Sequence, residues 1–224
     1  MFIANKKATE KHANETTELV FILDRSGSMK GLENDTIGGY NATIEKQQSE
    51  PGSARVTTVL FNDHIDVCMS RVDVACVEPM TRRQYQPCGC TALLDAVGQT
   101  IRMINKQQKA DLAGRPDHTI FVITTDGMEN SSSTYTLEKV RKMIEKRKAK
   151  NGWEFMFLGA NMDAIATAAN MGISADRAAT YVCDAKGTEV MYAAASRAVS
   201  DIRCCAASTA NWKEDIEADF AARG

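Results

Sequence analysis

Asp24, Ser26 and Ser28 recur at two-residue spacing in Asp24-Arg25-Ser26-Gly27-Ser28, directly after the apolar run Leu19-Val20-Phe21-Ile22-Leu23. A chain leaving a strand keeps its two-residue side-chain period, so these three side chains share one side. Gly27 lets the backbone bend toward whatever they face. Two further segments carry matching chemistry: Thr91 in Gly89-Cys90-Thr91-Ala92, and Asp126 in Thr124-Thr125-Asp126-Gly127, which also follows an apolar run. Together these residues offer only oxygen donors, the donor set of a hard cation rather than of a thiolate or redox centre. Two carboxylates brought together repel, and either a proton or a cation must compensate them. Asp24 and Asp126 balance one divalent ion, while Ser26, Ser28 and Thr91 add no charge. Such an ion keeps a position for water, and a partner's carboxylate can displace that water. The small number of carboxylates favours Mg²⁺ or Mn²⁺ over Ca²⁺.

The elements that position these residues alternate between strand and helix. Leu19–Leu23 is apolar without interruption, the pattern of a central parallel strand buried on both faces. A helix is expected from about Gly31 to Gln48, ending before Pro51-Gly52. Gly38-Gly39 weakens it and is read as close packing of helix on sheet. Arg55–Phe61 is the second strand. Ile65–Met69 alternates after the turn Asn62-Asp63-His64 and returns antiparallel as an edge strand. Thr91 is expected to cap a helix that runs to about Lys109, with Leu94, Val97, Ile101 and Ile104 on its apolar face. Strand Thr119–Thr124, a basic helix from Thr136 to Lys150, strand Trp153–Leu158, a short helix from Asp163 to Asn170, a short strand Ala179–Val182 and a helix from Thr188 to Arg203 complete the pattern. The expectation is α/β: a three-layer, doubly wound, mostly parallel six-stranded sheet with one antiparallel edge strand and helices on both faces. A loose arm is expected at 1–14, the domain at 15–203 and a tail at 204–224. Ligands of such folds bind beyond the carboxyl ends of the strands, where Asp24 and Asp126 fall.

Bulk properties narrow the classes. The 224 residues, 44% hydrophobic and 25% charged, suit one large domain with a sizeable core. A net charge of −2 lacks the basic bias of a nucleic-acid binder. No run spans a bilayer, and Met1–Lys7 does not read as a signal peptide, so the expected location is the cytoplasm with no membrane partner. Seven cysteines, an odd number, are read as reduced thiols in a reducing compartment. Neither Cys88-Gly89-Cys90 nor Cys204-Cys205 has zinc-like spacing to further ligands.

Other candidates are weaker. His12, His64 and His118 are scattered, and each is read as a surface or turn residue. Ser26 and Ser28 lack a nucleophile elbow, and no phosphate-binding Gly-x-x-x-x-Gly-Lys loop occurs. Asp24 at a strand end suits a phosphatase-like, metal-assisted hydrolase, but such enzymes place a second aspartate where this chain has Ser26. The basic run Lys139, Arg141, Lys142, Lys146, Arg147, Lys148 and Lys150 is read as a solvated face. The alternative is an RNA-associated scaffold, with salt-dependent binding as its mark. In the tail, Trp212, Ile216 and Phe220 recur at four-residue spacing among acidic residues. They form an amphipathic helix that docks on its own domain or, alternatively, on a second copy to give a homo-oligomer. Asp95 is read as a helix-surface or capping residue.

The segments Phe21-Ile22-Leu23-Asp24-Arg25-Ser26-Gly27-Ser28-Met29, Gly89-Cys90-Thr91-Ala92-Leu93-Leu94-Asp95-Ala96 and Val122-Ile123-Thr124-Thr125-Asp126-Gly127 resemble the von Willebrand factor type A, or integrin I-like, domain. The likeness covers roughly 18–203 and is greatest to small intracellular bacterial and phage members. It implies a metal-ion-dependent adhesion site formed by Asp24, Ser26, Ser28, Thr91 and Asp126, some touching the ion directly and others through water. It also implies a non-enzymatic module that binds an Asp or Glu of a protein partner through a divalent cation. Cys90 departs from the family, which usually has a second glycine there; a side chain at this position is expected to stiffen the loop carrying Thr91.

Overall fold

The computed structural model describes residues 15–160, 162–205 and 211–224. The expected N-terminal arm and His12 lie outside these. Six strands form one sheet: β1 (Thr16–Asp24), β2 (Ser53–Phe61), β3 (Ile65–Asp73), β4 (His118–Thr125), β5 (Glu154–Ala160) and β6 (Ala178–Tyr181). The helices among the described residues are α1 (Glu33–Ser49), α2 (Leu93–Ala110), α3 (Leu137–Asn151), α4 (Ala164–Asn170), α5 (Ala185–Cys205) and α6 (Glu214–Arg223), with three short 3₁₀ turns between elements.

The strand order is β3-β2-β1-β4-β5-β6. Every pair is parallel except β2 and β3, which run antiparallel through an irregular register. The doubly wound sheet with one antiparallel edge is therefore as the sequence pattern indicates. The order reverses at β1, which pairs with β2 on one side and β4 on the other. A crevice opens at such a reversal, beyond the strand ends.

Alternation along β1 assigns the two layers. Leu19, Phe21 and Leu23 join Tyr40, Ile44, Val199 and Ile202 in one core, under α1 and α5. Val20 and Ile22 join Val97, Ile101, Ile104, Val140 and Ile144 in the other, under α2 and α3. Each of these strand residues is at most 1% exposed, so the uninterrupted apolar run reflects burial on both faces.

Three local expectations are corrected. A Cβ on Gly39 would lie 2.3 Å from the Tyr192 ring, whereas one on Gly38 would meet nothing within 4 Å. Gly39 thus admits a side chain of α5, and the close packing is helix on helix, not helix on sheet. Thr91 does not cap α2. The residue preceding the helix is Ala92, and the free N–H groups of the first turn are met from the β4–α3 loop, by Glu129 Oε2 to Leu94 N and Ser132 Oγ to Asp95 N. Asp95 is buried rather than on the helix surface, and its carboxylate accepts from the N–H groups of Ser133, Thr134 and Tyr135.

The tail helix packs on α5 and β6 of its own chain. Trp212 and Ile216 are buried there, while Phe220 is 39% exposed. Its docking surface is the domain itself, the first of the two expected arrangements.

Candidate metal centre

β1 and β4 are adjacent and in register, Leu23 beside Thr124, so the residues just beyond their ends meet. Asp24 closes β1 and is 1% exposed; Asp126 follows β4 and is 4% exposed. The turn after β1 folds back on Asp24, whose Oδ1 accepts from Ser26 N at 2.6 Å. Thr125 Oγ1 donates to Asp24 Oδ2 at 2.5 Å. The Ser26 and Ser28 hydroxyls lie 3.0 Å apart, and Ser28 Oγ donates to Asp126 Oδ1 at 2.6 Å. Because the Ser28 proton is used on Asp126, Ser26 is the donor between the two serines. Ser28 is exposed, so the cluster opens to solvent on its side.

Thr91 arrives on a separate loop. Its N–H donates to Asn130 Oδ1 at 2.9 Å, and its carbonyl accepts from Asn130 N at 3.1 Å. A Cβ on Gly127 would lie 2.7 Å from Thr91 Oγ1 and 3.3 Å from Ser28 Oγ. Only a glycine at 127 leaves these two hydroxyls room beside Asp126. The loop is laced to the β1 turn by Cys88 N to Arg25 O at 2.9 Å and Gly27 N to Gly89 O at 3.0 Å. Cys90 is exposed, so its side chain projects away from these contacts. All five residues singled out in the sequence thus converge on one cluster.

The electrostatics are unfavourable without compensation. Burial, the largest influence, raises Asp24 to about 6; hydrogen bonds from Thr125 and Ser26 oppose the shift and the nearby Asp126 adds to it. Asp126 is also raised, chiefly by burial. Among the described residues no Arg, Lys or His forms an ion pair with either carboxylate; the adjacent Arg25 turns instead to Asp66. Nor do three His, Cys, Asp or Glu side chains gather as a metal cluster among them. Two buried carboxylates, three hydroxyls and a solvent opening therefore form an anionic oxygen pocket that fits a hard divalent cation.

Four contributors escaped the sequence reading. Thr125 holds Asp24, and Tyr85, 1% exposed, donates its hydroxyl to Asp24 O at 2.5 Å. Asn130 fixes Thr91. Cys183, beyond β6, donates its thiol to Asp126 Oδ2 at 3.7 Å. Thr125 alone left a signal, as a second threonine beside Asp126 whose side chain must point opposite to Thr124.

No protein-family model matches the sequence, and no curated protein matches it. Solved structures do. A von Willebrand factor type A protein from Catenulispora acidiphila superposes with a TM-score of 0.55 at 14% identity, over 84% of this chain and 43% of that one. Proximal thread matrix protein 1 from the mussel byssus, with a zinc-occupied MIDAS motif, gives 0.56 at 14% identity over 86% and 46%. The pilus adhesin SpaC from Lactobacillus rhamnosus GG gives 0.61 at 14% identity over 84% and 31%. This chain spans less than half the length of each of these three. With the strand order and the crevice at β1 and β4, these likenesses define the fold: the chain has the von Willebrand factor type A fold.

Proposed function

We propose that this chain is a protein-interaction module that binds an acidic group of a partner through a divalent cation held by Asp24, Ser26, Ser28, Thr91 and Asp126. The carrying observation is the pair of buried carboxylates, raised in pKa and without a basic partner among the described residues, beside hydroxyls at the mouth of the crevice. The mussel protein's zinc-occupied motif supports a divalent ion on this fold. Mg²⁺ or Mn²⁺ is preferred to Ca²⁺ because the pocket has few carboxylates and tight hydroxyl contacts. When bound, the ion supplies an exchangeable position for a partner's Asp or Glu. The chain's own residues do the rest: Thr125 and the Ser26 N–H orient Asp24, Ser28 orients Asp126, and Gly127 keeps the space between Thr91 and Ser28 clear.

A non-enzymatic role is favoured by the likeness to a pilus adhesin and a byssal thread matrix protein. The two described histidines are engaged elsewhere, His64 with Asp63 and His118 with Glu15. Several basic residues of α3 make contacts within the chain while remaining exposed, the pattern of a solvated face. Arg141 pairs with Glu145, Lys142 with Glu138, Arg147 stacks over Trp153, and Lys148 reaches Gly172 O. The six cysteines whose side chains are described are thiols, and no helix among the described residues is long and apolar enough to cross a membrane. Both fit a cytoplasmic module. The test is a pull-down with acidic peptides in Mg²⁺ and in chelator: capture in Mg²⁺ alone is expected, and chelator-insensitive capture would refute the ion bridge. Turnover of a generic aryl phosphate with Mg²⁺ would favour the hydrolase.

A further inference from the structure

The tail helix α6 is fastened along its length. Before it begins, Trp212 Nε1 donates to Asp176 O at 2.8 Å, and Lys213 Nζ donates to Ala175 O and Ala178 O at 3.0 and 3.2 Å. In its first turn, Asp215 pairs with Arg197 of α5. At its end Arg223 donates to Asp184, Nη1 to Oδ2 at 2.5 Å and Nη2 to Oδ1 at 3.3 Å. Arg223 is held in that pose by Asp219, one turn back, whose Oδ2 accepts from Nη2 at 2.6 Å. Asp176 precedes β6 and Asp184 follows it, so α6 reaches from one end of the strand to the other and finishes at the end of the sheet where Asp126 lies.

Asp184 is a structural knot. Its Oδ1 accepts from Gly187 N at 2.7 Å and its carbonyl from Thr188 N at 2.9 Å, which starts α5. The preceding residue, Cys183, donates to Asp126 Oδ2 at 3.7 Å. Among the described residues β6 is a four-residue edge strand paired only with β5, so little of the sheet itself restrains the turn that leaves it. The guanidinium near the chain's end and the carboxylate of the crevice are therefore joined through two consecutive residues.

We infer that Arg223 is a positioning residue for the crevice: through Asp184 it holds the turn at Val182–Asp184, so that Cys183 fixes Asp126 Oδ2 while Ser28 fixes Oδ1. This deepens the proposed function and rests on it only for the ion-binding readout. A partly exposed ion pair transmits a modest effect, so changes of about threefold are expected.

The test uses the full chain with Arg223→Ala, Arg223→Lys and Arg197→Ala. Arg197→Ala loosens the same helix without touching Asp184. The alkylation rate of Cys183 by iodoacetamide, resolved by mass spectrometry, reports the turn, and titration with Mn²⁺ reports the ion. Arg223→Ala is expected to raise the Cys183 rate and weaken Mn²⁺ affinity, each by about threefold. Arg223→Lys is expected to restore most of both, and Arg197→Ala to leave both near wild type. An unchanged Cys183 rate in Arg223→Ala, or equal effects from Arg197→Ala, would overturn the inference. If the wild type binds no Mn²⁺, the ion site fails, while the alkylation rates still decide whether Arg223 holds the turn.

Discussion

The Thr125 hydroxyl donates to Asp24 Oδ2 at 2.5 Å and accepts from Gly127 N at 3.2 Å. One side chain at the end of β4 thereby stabilises the charge at the end of β1 and sets the bend that follows Asp126. Replacing Thr125 by Val keeps the shape and removes both bonds. Loss of a hydrogen bond to a buried carboxylate costs about 1.5–3 kcal/mol. Chemical denaturation at pH 7.5 without metal should show a loss of that size, and an unchanged midpoint would show that Asp24 does not depend on Thr125.

The raised pKa of Asp24 gives a pH dependence of unusual sign. Its value is about 6 in the fold against the ordinary 3.8, so between these values the folded state binds more protons than the unfolded. Stability from this group is therefore lost as pH rises through that window. Its ionisation costs the metal-free fold on the order of 3 kcal/mol at neutral pH. A divalent cation binds the charged form and offsets this. Thermal melting should show Mg²⁺ stabilising the domain at pH 7.5 and hardly at pH 5. Equal stabilisation at both would mean that Asp24 is not a ligand.

Gly127→Ala tests the space between the hydroxyls. The added Cβ would meet Thr91 Oγ1 at 2.7 Å and Ser28 Oγ at 3.3 Å, displacing two proposed ligands while leaving both cores untouched. Circular dichroism should remain that of the wild type, with ion affinity reduced at least about tenfold, a shift equivalent to roughly 1.4 kcal/mol. Wild-type affinity would remove Thr91 and Ser28 from the site.

A second buried charge, remote from the crevice, tests the sheet edge. Glu18 on β1 is fully buried, with Arg71 Nε of β3 at 3.1 Å and Gln108 Nε2 donating at 2.9 Å. Arg71→Ala strands that carboxylate, and unfolding free energy should fall by about 3–5 kcal/mol. Arg71→Met combined with Glu18→Leu should recover most of it. A double variant as unstable as the single would show that packing, not charge, holds the edge.

The sequence displayed what depends on local chemistry. β1, β4 and β5 were visible because burial on both faces demands unbroken apolar runs. Asp24, Ser26, Ser28 and Asp126 were visible because ligands on a strand exit keep a two-residue period. Contacts between distant segments left no such trace. Gly39 is a glycine because Tyr192, far along the chain, occupies its Cβ space, and neither residue signals the other. Thr91 looked like a cap because threonine is a good one, yet Glu129 and Ser132 from another loop take that task. Cys183 and Arg223 are equally silent, since their partners are chosen by the packing of β6 and α6.

The central claim is that Asp24 and Asp126 hold a divalent cation. Calorimetric titration of metal-stripped protein with Mg²⁺ and Mn²⁺, beside Asp24→Ala and Asp126→Ala, tests it most directly. Saturable one-site binding in the wild type, abolished in both folded variants, is the expected result. Undiminished affinity in the two variants, or no binding by the wild type, would contradict the claim.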